Sequence, residues 1–598
     1  MPALRNGFVN WDDDIYVVAN DVIRSPTGLR QIWSTTEMPE HFPNYPLVFT
    51  SYWMEYRLWG ESPAGYHATN VLLHAANTAL VFALALMLGA SPWVAGVTAA
   101  LFGLHPLQVE SVVWVTERKN VLSAFFALLA MLAYLQHRRT DRWWWYAVTV
   151  LAFALALLSK TAVATLPLSM LLADRLQSGR WTLSSLSRIV PLLLLAAIAG
   201  LSTLHIENLP LTVPLVARPL LAAGALCFYA GMLLVPWNLM PIYPRWDVSL
   251  AALRWWLPLI GLFIVGAAGR RWALHWRIRW GVGHFVCLLL PVLGLRPFGF
   301  NEYSFVADHH VYLASIGFFL ALAEALGQLH AARGRIVTLL VGLALACLLG
   351  VTEQQIVTWR DSVTLWSEVL ARNPAAPVAH NNLGLALIER GDLDNAAEHL
   401  RQALAVAPND PEAHTNLGLI FYRQGQLEAA EEHCRRALAT RPGDPEFHKN
   451  LALVLQAEQR PADAANELRA AMQLRDAAVY HYLLGNVLIA EGQVVGAIAE
   501  YERALARDPG AAETRHALGR AFLATDRLPE AAASFTEVVR QHPEWAEPRY
   551  NLALALRRLG RVEEAKRQLD TALQLRPDFD VARQELDSIR SEQNATNR

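Results

Sequence analysis

Cysteine is nearly absent: the chain carries four in 598 residues. Cys227, Cys287 and Cys347 lie in apolar runs, and Cys434 stands alone in a polar region. Neither a disulfide framework nor a cysteine-based metal spacing is available, so these thiols read as small apolar fillers. Charge of one sign is missing as well, and a net charge of −2 gives no argument for a nucleic-acid partner. Met1 to Gly7 is too short to hold the apolar core of a signal peptide. No long low-complexity insert interrupts the chain. Ionisable groups are scarce inside the apolar runs, Lys160 apart, which argues against the charged pathway of a transporter.

What the chain has instead is apolar length. Hydrophobic residues make up 54% and tryptophans number 20, above the soluble norm. A chain this long exceeds one core. The excess is confined to 67–352, whereas 359–598 is charged, alanine-rich and soluble in character. Apolar runs occupy 67–88, 92–104, 120–136, 144–158, 161–173, 189–206, 217–236, 255–268, 281–296, 311–328 and 336–352. Trp143–Trp145, Trp255–Trp256, Trp276 and Trp280 sit at run ends, as interfacial aromatics do. Basic clusters fall at Arg138, Arg139 and Arg142, at Arg175 and Arg180, at Arg270, Arg271, Arg277 and Arg279, and at Arg333 and Arg335. Strict alternation would split these clusters between two sides, against the positive-inside rule. One run between 189 and 236 is therefore expected not to cross, as a re-entrant or interfacial helix around His205-Ile206-Glu207-Asn208. The acidic segment 1–66, with Glu37, Glu40 and other acids, then shares the non-cytoplasmic face with loops 105–119 and 299–310 and with the C-terminal module.

Three constellations carry chemistry. Asp12, Asp13 and Asp14 stand where carboxylates are expensive to desolvate. A carboxylate there suits a general base that takes a proton from an acceptor hydroxyl; an acid cluster capping a helix is the other reading. The loop from His105 to Asn120 brings Glu110, Glu117, Arg118 and Lys119 to the mouth of a span. Arg118, Lys119 and Lys160 suit a leaving phosphate, with snorkelling to headgroups as the alternative for the two lysines. His105 reads as a structural cap or as a donor contact. Asp308, His309 and His310 open a later span. Adjacent histidines on a helix point about 100° apart, so no metal site is expected, and phosphate or sugar contacts are preferred.

Phe8-Val9-Asn10-Trp11-Asp12-Asp13, His105-Pro106 with Glu110 and Trp114, and Ser159-Lys160 with Leu166-Pro167 resemble the transmembrane and tetratricopeptide-repeat proteins. These are protein O-mannosyltransferases of the GT-C class, and this chain is similar to their bacterial relatives. The resemblance implies a GT-C-like polytopic membrane helix bundle, and the compact loops without low-complexity inserts point to a bacterial inner membrane. It implies an inverting transfer of a mannose-like sugar from a polyprenyl-phosphate donor to a protein hydroxyl, with Asp12 or Asp13 near the acceptor. Donor contacts are then expected from His105, Glu110, Arg118, Lys119, Lys160, Asp308 and His309. The family carries a membrane helix ahead of its acidic loop, so one is expected before Phe8. Thr161 stands where the family often has Glu, and Asp308-His309 where an acid and Arg are usual.

From 377 onward the chain repeats at a period of 34 residues, marked by Leu383-Gly384, Leu417-Gly418, Leu451-Ala452, Leu484-Gly485, Leu518-Gly519 and Leu552-Ala553. The expected class is all-α throughout. The bundle in 67–352 is followed by a connecting half-repeat in 353–376, a tetratricopeptide-repeat α-solenoid of six units in 377–578, and a capping helix and tail in 579–598. Asn382, next to Asn381, recurs with Asn416, Asn450, Asn486 and Asn551 near the starts of first helices. Such a ladder suits the backbone of an acceptor protein or peptide, with local helix capping or bonding between repeats as the other reading. Two functions follow: a membrane-lipid-dependent glycosyltransferase whose repeats deliver the acceptor, or a non-catalytic envelope scaffold anchored by the bundle.

Overall fold

A computed structural model describes residues 2–34, 45–206, 213–271, 275–296 and 298–596. Glu37, Glu40, Glu207 and Asn208 lie outside the described residues, as do the side chains of His205, Arg270 and Arg271. The described residues are helical and contain no strand. Two compact units divide the chain, Met1–Gly391 and Asp392–Arg598.

In the first unit the principal helices are α1 (Pro46–Trp59), α2 (Pro63–Met87), α3 (Pro92–Leu104), α4 (Arg118–Thr140) and α5 (Trp143–Leu157). They are followed by α6 (Leu166–Ser178), α7 (Leu183–Ile206), α8 (Arg218–Leu234), α9 (Trp256–Arg271) and α10 (Trp276–Leu289). Then come α11 (Ser315–Thr358), α12 (Ser362–Arg372) and α13 (Pro377–Glu389). Proline in the first turn starts α1, α2 and α3, where a missing N–H costs nothing. Left-handed Asp141 and Gly179 stop α4 and α6. Among the described residues, five helices are long and apolar enough to cross a membrane.

At 44 residues α11 would be about 66 Å long if straight, twice the hydrocarbon thickness. It is not straight. Arg333 leaves helical geometry (φ −139°, ψ 47°) and the helix folds back there. On the first arm Phe319 packs on His105, and Gly327 approaches Val94 so closely that a Cβ would meet its methyl at 2.7 Å. On the second arm Thr338 accepts from Trp93 Nε1 at 3.2 Å, and Thr352 donates to the Leu104 carbonyl at 2.7 Å. Both arms therefore flank α3, one antiparallel and one parallel, and both ends of α11 return to the end that carries His105.

The opposite end gathers the basic clusters. Arg138 pairs with Asp174 at 2.7 Å, and Arg139 donates to the Met87 carbonyl. Arg277 forks onto Glu324 at 2.9 and 2.8 Å. The lateral element that makes this arrangement possible is α8. Arg218 Nη1 donates to Leu295 O at 3.1 Å at its start, and Tyr229 OH accepts from Ala307 N at 3.2 Å further along. Leu239, just beyond it, accepts from Arg372 at 2.7 Å. All of these partners belong to the His105 end. The expected turn around His205-Ile206-Glu207-Asn208 falls partly outside the described residues; α7 stays helical to Ile206, and the contacts of 218–234 run along the His105 end.

In the second unit pairs of antiparallel helices stack from Leu393–Val406 to the capping helix Asp580–Thr596. Ala396, Ala430, Ala464, Ala497, Ala531 and Ala565 are fully buried, which is how paired helices approach closely. Asp580–Thr596 covers the last repeat with Ala582, Leu586 and Ile589. One recurring tie escaped the sequence reading. His414 and His448 donate Nε2–H to the carbonyls of Pro408 and Pro442 at 3.1 and 3.2 Å, and Arg549 donates to Pro543 at 2.8 Å. In these three units the first helix is thus tied to the proline carbonyl just beyond the helix before it. A Cβ on Gly485 would meet the Tyr501 ring at 2.4 Å. Gly485→Ala is therefore expected to destabilise the array by about 1–3 kcal/mol, read as a lower denaturation midpoint of the full chain; an unchanged midpoint would mean this contact is slack.

Candidate functional site

The site lies where the N-terminal segment meets the start of α4. Asp13 is buried, its Oδ2 accepting from Val9 N at 3.1 Å and its Oδ1 from Thr116 N at 3.0 Å. Burial pushes its carboxyl up to about 7, against the pull of those two N–H groups. Asp13 is a clasp between the N-terminal segment and the 115–117 turn, and the expectation that it acts as a base is corrected on that ground. Asp12 points the other way. Its side chain is 29% exposed and stands 3.8 Å from Lys119 Nζ. Burial raises its pKa and the Lys119 ammonium opposes the rise. Asp14 is half-buried beside them, its carboxyl lifted by burial to about 6.

Beneath Asp12 sits Glu117, almost fully buried, accepting from Lys119 Nζ at 2.8 Å and lying 3.5 Å from Lys160 Nζ. Both lysines keep part of their side chains in the open, 14% and 13%. Lys160 also donates to Asn120 Oδ1 at 2.6 Å, while Asn120 Nδ2 donates to Glu117 and to the His309 carbonyl. A buried carboxylate with two ammonium groups satisfies its desolvation cost and leaves both cations facing the mouth. Burial lowers the Lys160 pKa, and Glu117 opposes the fall.

A second tier joins the loops. Glu110 accepts from His309 N at 3.1 Å and holds His309 Nδ1 at 2.9 Å. Burial pushes Glu110 well up, helped by the charge of Asp308, and pushes His309 down to about 3. Both trends favour a neutral pair sharing one proton. Tyr243 donates to Asp308 at 2.7 Å, and burial lifts that carboxyl to about 7. Tyr229 OH reaches His310 Nδ1 at 3.1 Å. Nothing in the sequence pointed to Tyr229, Tyr243 or Asn120; only the i to i+3 spacing of Glu117 and Asn120 hinted at a shared helix face.

Two expected donor contacts are turned away from the mouth. Arg118 is fully buried, paired with Glu55 at 2.5 Å and donating to Asn70 Oδ1 at 2.7 Å and Tyr66 O at 2.9 Å. Every direction of its fork is taken inside the protein, so it is corrected to a structural residue. His105 is buried, accepts from Leu107 N at 3.3 Å and packs on Phe319, which makes it a cap. Of the expected set, the structure brings Asp12, Lys119 and Lys160 to one opening, with Glu110, Asp308 and His309 behind them.

The asparagines do not form one column. Asn382 is buried, its carbonyl accepting from Asn10 Nδ2 at 2.8 Å and its Oδ1 from Asn381 at 3.1 Å. Asn551 is buried beside His516 at 2.8 Å. Asn486 stands three residues out of register, its Oδ1 accepting from Tyr501 OH at 2.7 Å. Asn416 and Asn450 are half-buried and in register.

A tetratricopeptide-repeat family model matches residues 358–411, 382–445, 449–512 and 516–578, and a second one matches 488–543. The chain is 33% identical over 172 residues to the Drosophila melanogaster protein O-mannosyl-transferase Tmtc1, covering 27% of this chain and 20% of that one. It is 24% identical over 477 residues to mouse TMTC4, covering 65% and 63%, and 23% identical over 430 residues to the Caenorhabditis elegans protein O-mannosyl-transferase F38B6.6, covering 68% and 60%. The chain thus spans less than two thirds of each of these relatives. Among solved structures, YrrB, a tetratricopeptide-repeat protein, is 23% identical, covering 32% of this chain and 98% of its own at a TM-score of 0.28. PilW, a type IV pilus biogenesis factor, is 19% identical, covering 36% and 97% at 0.33.

Apolar helices joined to a tetratricopeptide solenoid define the class of protein. Within that class the chain is similar, over part of its length, to the TMTC protein O-mannosyl-transferases.

The geometry separates holding residues from exposed ones. Arg118→Met leaves Glu55 buried and unpaired, and should destabilise the protein by about 3–5 kcal/mol. Asp13→Asn turns an amide donor toward a backbone N–H and should cost about 1–3 kcal/mol. Asp12→Asn, half-exposed, should stay within about 0.5 kcal/mol of the parent. Thermal unfolding of the three variants in detergent checks the order; equal losses at 12 and 13 would erase the distinction.

Proposed function

We propose that this protein is a membrane glycosyltransferase that moves a mannose-like sugar from a polyprenyl-phosphate donor to a protein hydroxyl. The observation that carries the reading is the half-exposed Asp12 carboxylate set beside the Lys119 ammonium, which shares Glu117 with that of Lys160. The names of the relatives supply the reaction class.

In this reaction the acceptor oxygen bonds to the anomeric carbon as the bond from that carbon to the phosphate oxygen breaks. The hydroxyl proton passes to Asp12, and the leaving polyprenyl phosphate gains the negative charge. A base with a raised pKa is matched to that proton. Lys119 and Lys160 hold the departing phosphate, while Glu117 keeps both in place. The neutral Glu110–His309 pair and Asp308 line the donor side. The basic end of the bundle lies in the cytoplasm of a bacterium, and Asp12 and the repeats lie outside it. The repeats hold the acceptor protein.

Asp12→Asn is expected to reduce transfer about 10²–10⁴-fold in a folded protein, and Lys160→Met about 10²–10³-fold. The measurement is the glycan mass increment on a secreted protein made together with each variant. Undiminished product from Asp12→Asn would overturn the reading and leave an anchored scaffold in its place.

A further inference from the structure

The residues just ahead of Asp12 lie against the connector and the first repeat helix as well as against the bundle, where Phe8 packs on Tyr66 and the Gly7 carbonyl meets His67 Nε2. Asn6 Nδ2 donates to the carbonyls of Ile356 and Trp359, both at 3.1 Å. Gly7 N donates to Arg360 O at 2.9 Å, and Asn10 N to Ser362 Oγ at 2.9 Å. The Asn10 side chain then bridges two helices: it accepts from Trp366 Nε1 on α12 at 2.7 Å and donates to Asn382 O on α13 at 2.8 Å. Trp11 stacks on Trp114 at 4.5 Å between centroids and leans on Trp366 at 5.2 Å. On the other side of Asp12, Asp13 is clasped to Thr116.

Asp12 therefore stands on a bridge with one footing in the bundle and one in α12 and α13. We infer that Trp366, Ser362 and Asn10 are positioning residues for Asp12, so that the first repeat helices form part of the reaction centre and do not merely tether the array. Asn10 holds the Asn382 carbonyl, and Asn382 is buried beside it. Any movement of α12 and α13 is passed along two peptide units to the carboxylate. A displacement near 1 Å is enough to cost a catalytic group most of its effect. This inference rests on the transferase reading above.

The test uses the full chain in detergent with a lipid-linked mannose donor and a peptide acceptor. Trp366→Phe keeps the ring and removes the N–H; Ser362→Ala removes the acceptor for Asn10 N. Each should lower kcat roughly tenfold with the donor KM unchanged. Asn10→Ala combined with Trp366→Phe should lose no more than Asn10→Ala alone, because the Trp366 link is already cut in Asn10→Ala. Glu368→Gln, on the exposed side of α12, should behave as the parent. A readout without turnover accompanies it: the pH profile of thiol modification in Asp12→Cys, with Cys227 and Cys347 replaced, should shift when Trp366→Phe is added. Parental kcat in Trp366→Phe and Ser362→Ala, with an unshifted thiol profile, overturns the inference even where Asp12→Asn abolishes transfer. Transfer that survives Asp12→Asn sinks the transferase reading instead, and the thiol profile still decides whether α12 positions residue 12.

Discussion

Charge removed from water at the mouth of an apolar bundle has to be matched at once, and that requirement organises the first unit. Glu117, Arg118 and Lys119 follow one another along the start of α4, where successive side chains point about 100° apart. Arg118 turns inward to Glu55, locking α1 and α2 to α4. Lys119 turns outward to Glu117 and Asp12. One turn of helix therefore supplies both a buried strut and an open cation. Lys160, brought in from the stretch after α5, gives Glu117 its second partner.

The bundle is polar at both ends for different reasons. At the basic end, arginines meet helix-end carbonyls and the acids Asp174 and Glu324, closing the gaps between helices. At the other end the loops 105–117 and 299–312 pack on one another through Glu110, His309 and Asn120. Because α11 folds back at Arg333, its second arm delivers α12 to that same end. The N-terminal segment then ties to α12 and α13, so the acidic motif and the first repeat helices occupy one side of the unit.

Much of this was legible in the sequence. The 34-residue period fixes the solenoid because its small residues recur where paired helices touch, and apolar runs mark the bundle helices. The positive-inside rule asks for one run to lie flat and does not say which, because run 217–236 is as apolar as the other candidate spans and only its contacts set it apart. Within the site, Asp12, Lys119 and Lys160 keep part of their side chains in the open. Asp13 and Arg118 are turned inward instead, since neighbours in sequence on a turn or helix face different ways and composition is blind to direction. Asn486 misled for a related reason: recurrence near a helix start is not recurrence in register. Tyr229 and Tyr243 come from the lateral helix and the segment after it, where long-range packing alone assigns them.

The central claim is that the carboxylate end of the bundle faces the outside and the arginine end the cytoplasm. Labelling with a membrane-impermeant thiol reagent in intact cells tests it most directly, using Glu302→Cys, Glu368→Cys and Arg335→Cys in a background without Cys227 and Cys347. Positions 302 and 368 should label in intact cells, and 335 only after permeabilisation. Labelling of 335 alone in intact cells would contradict the account.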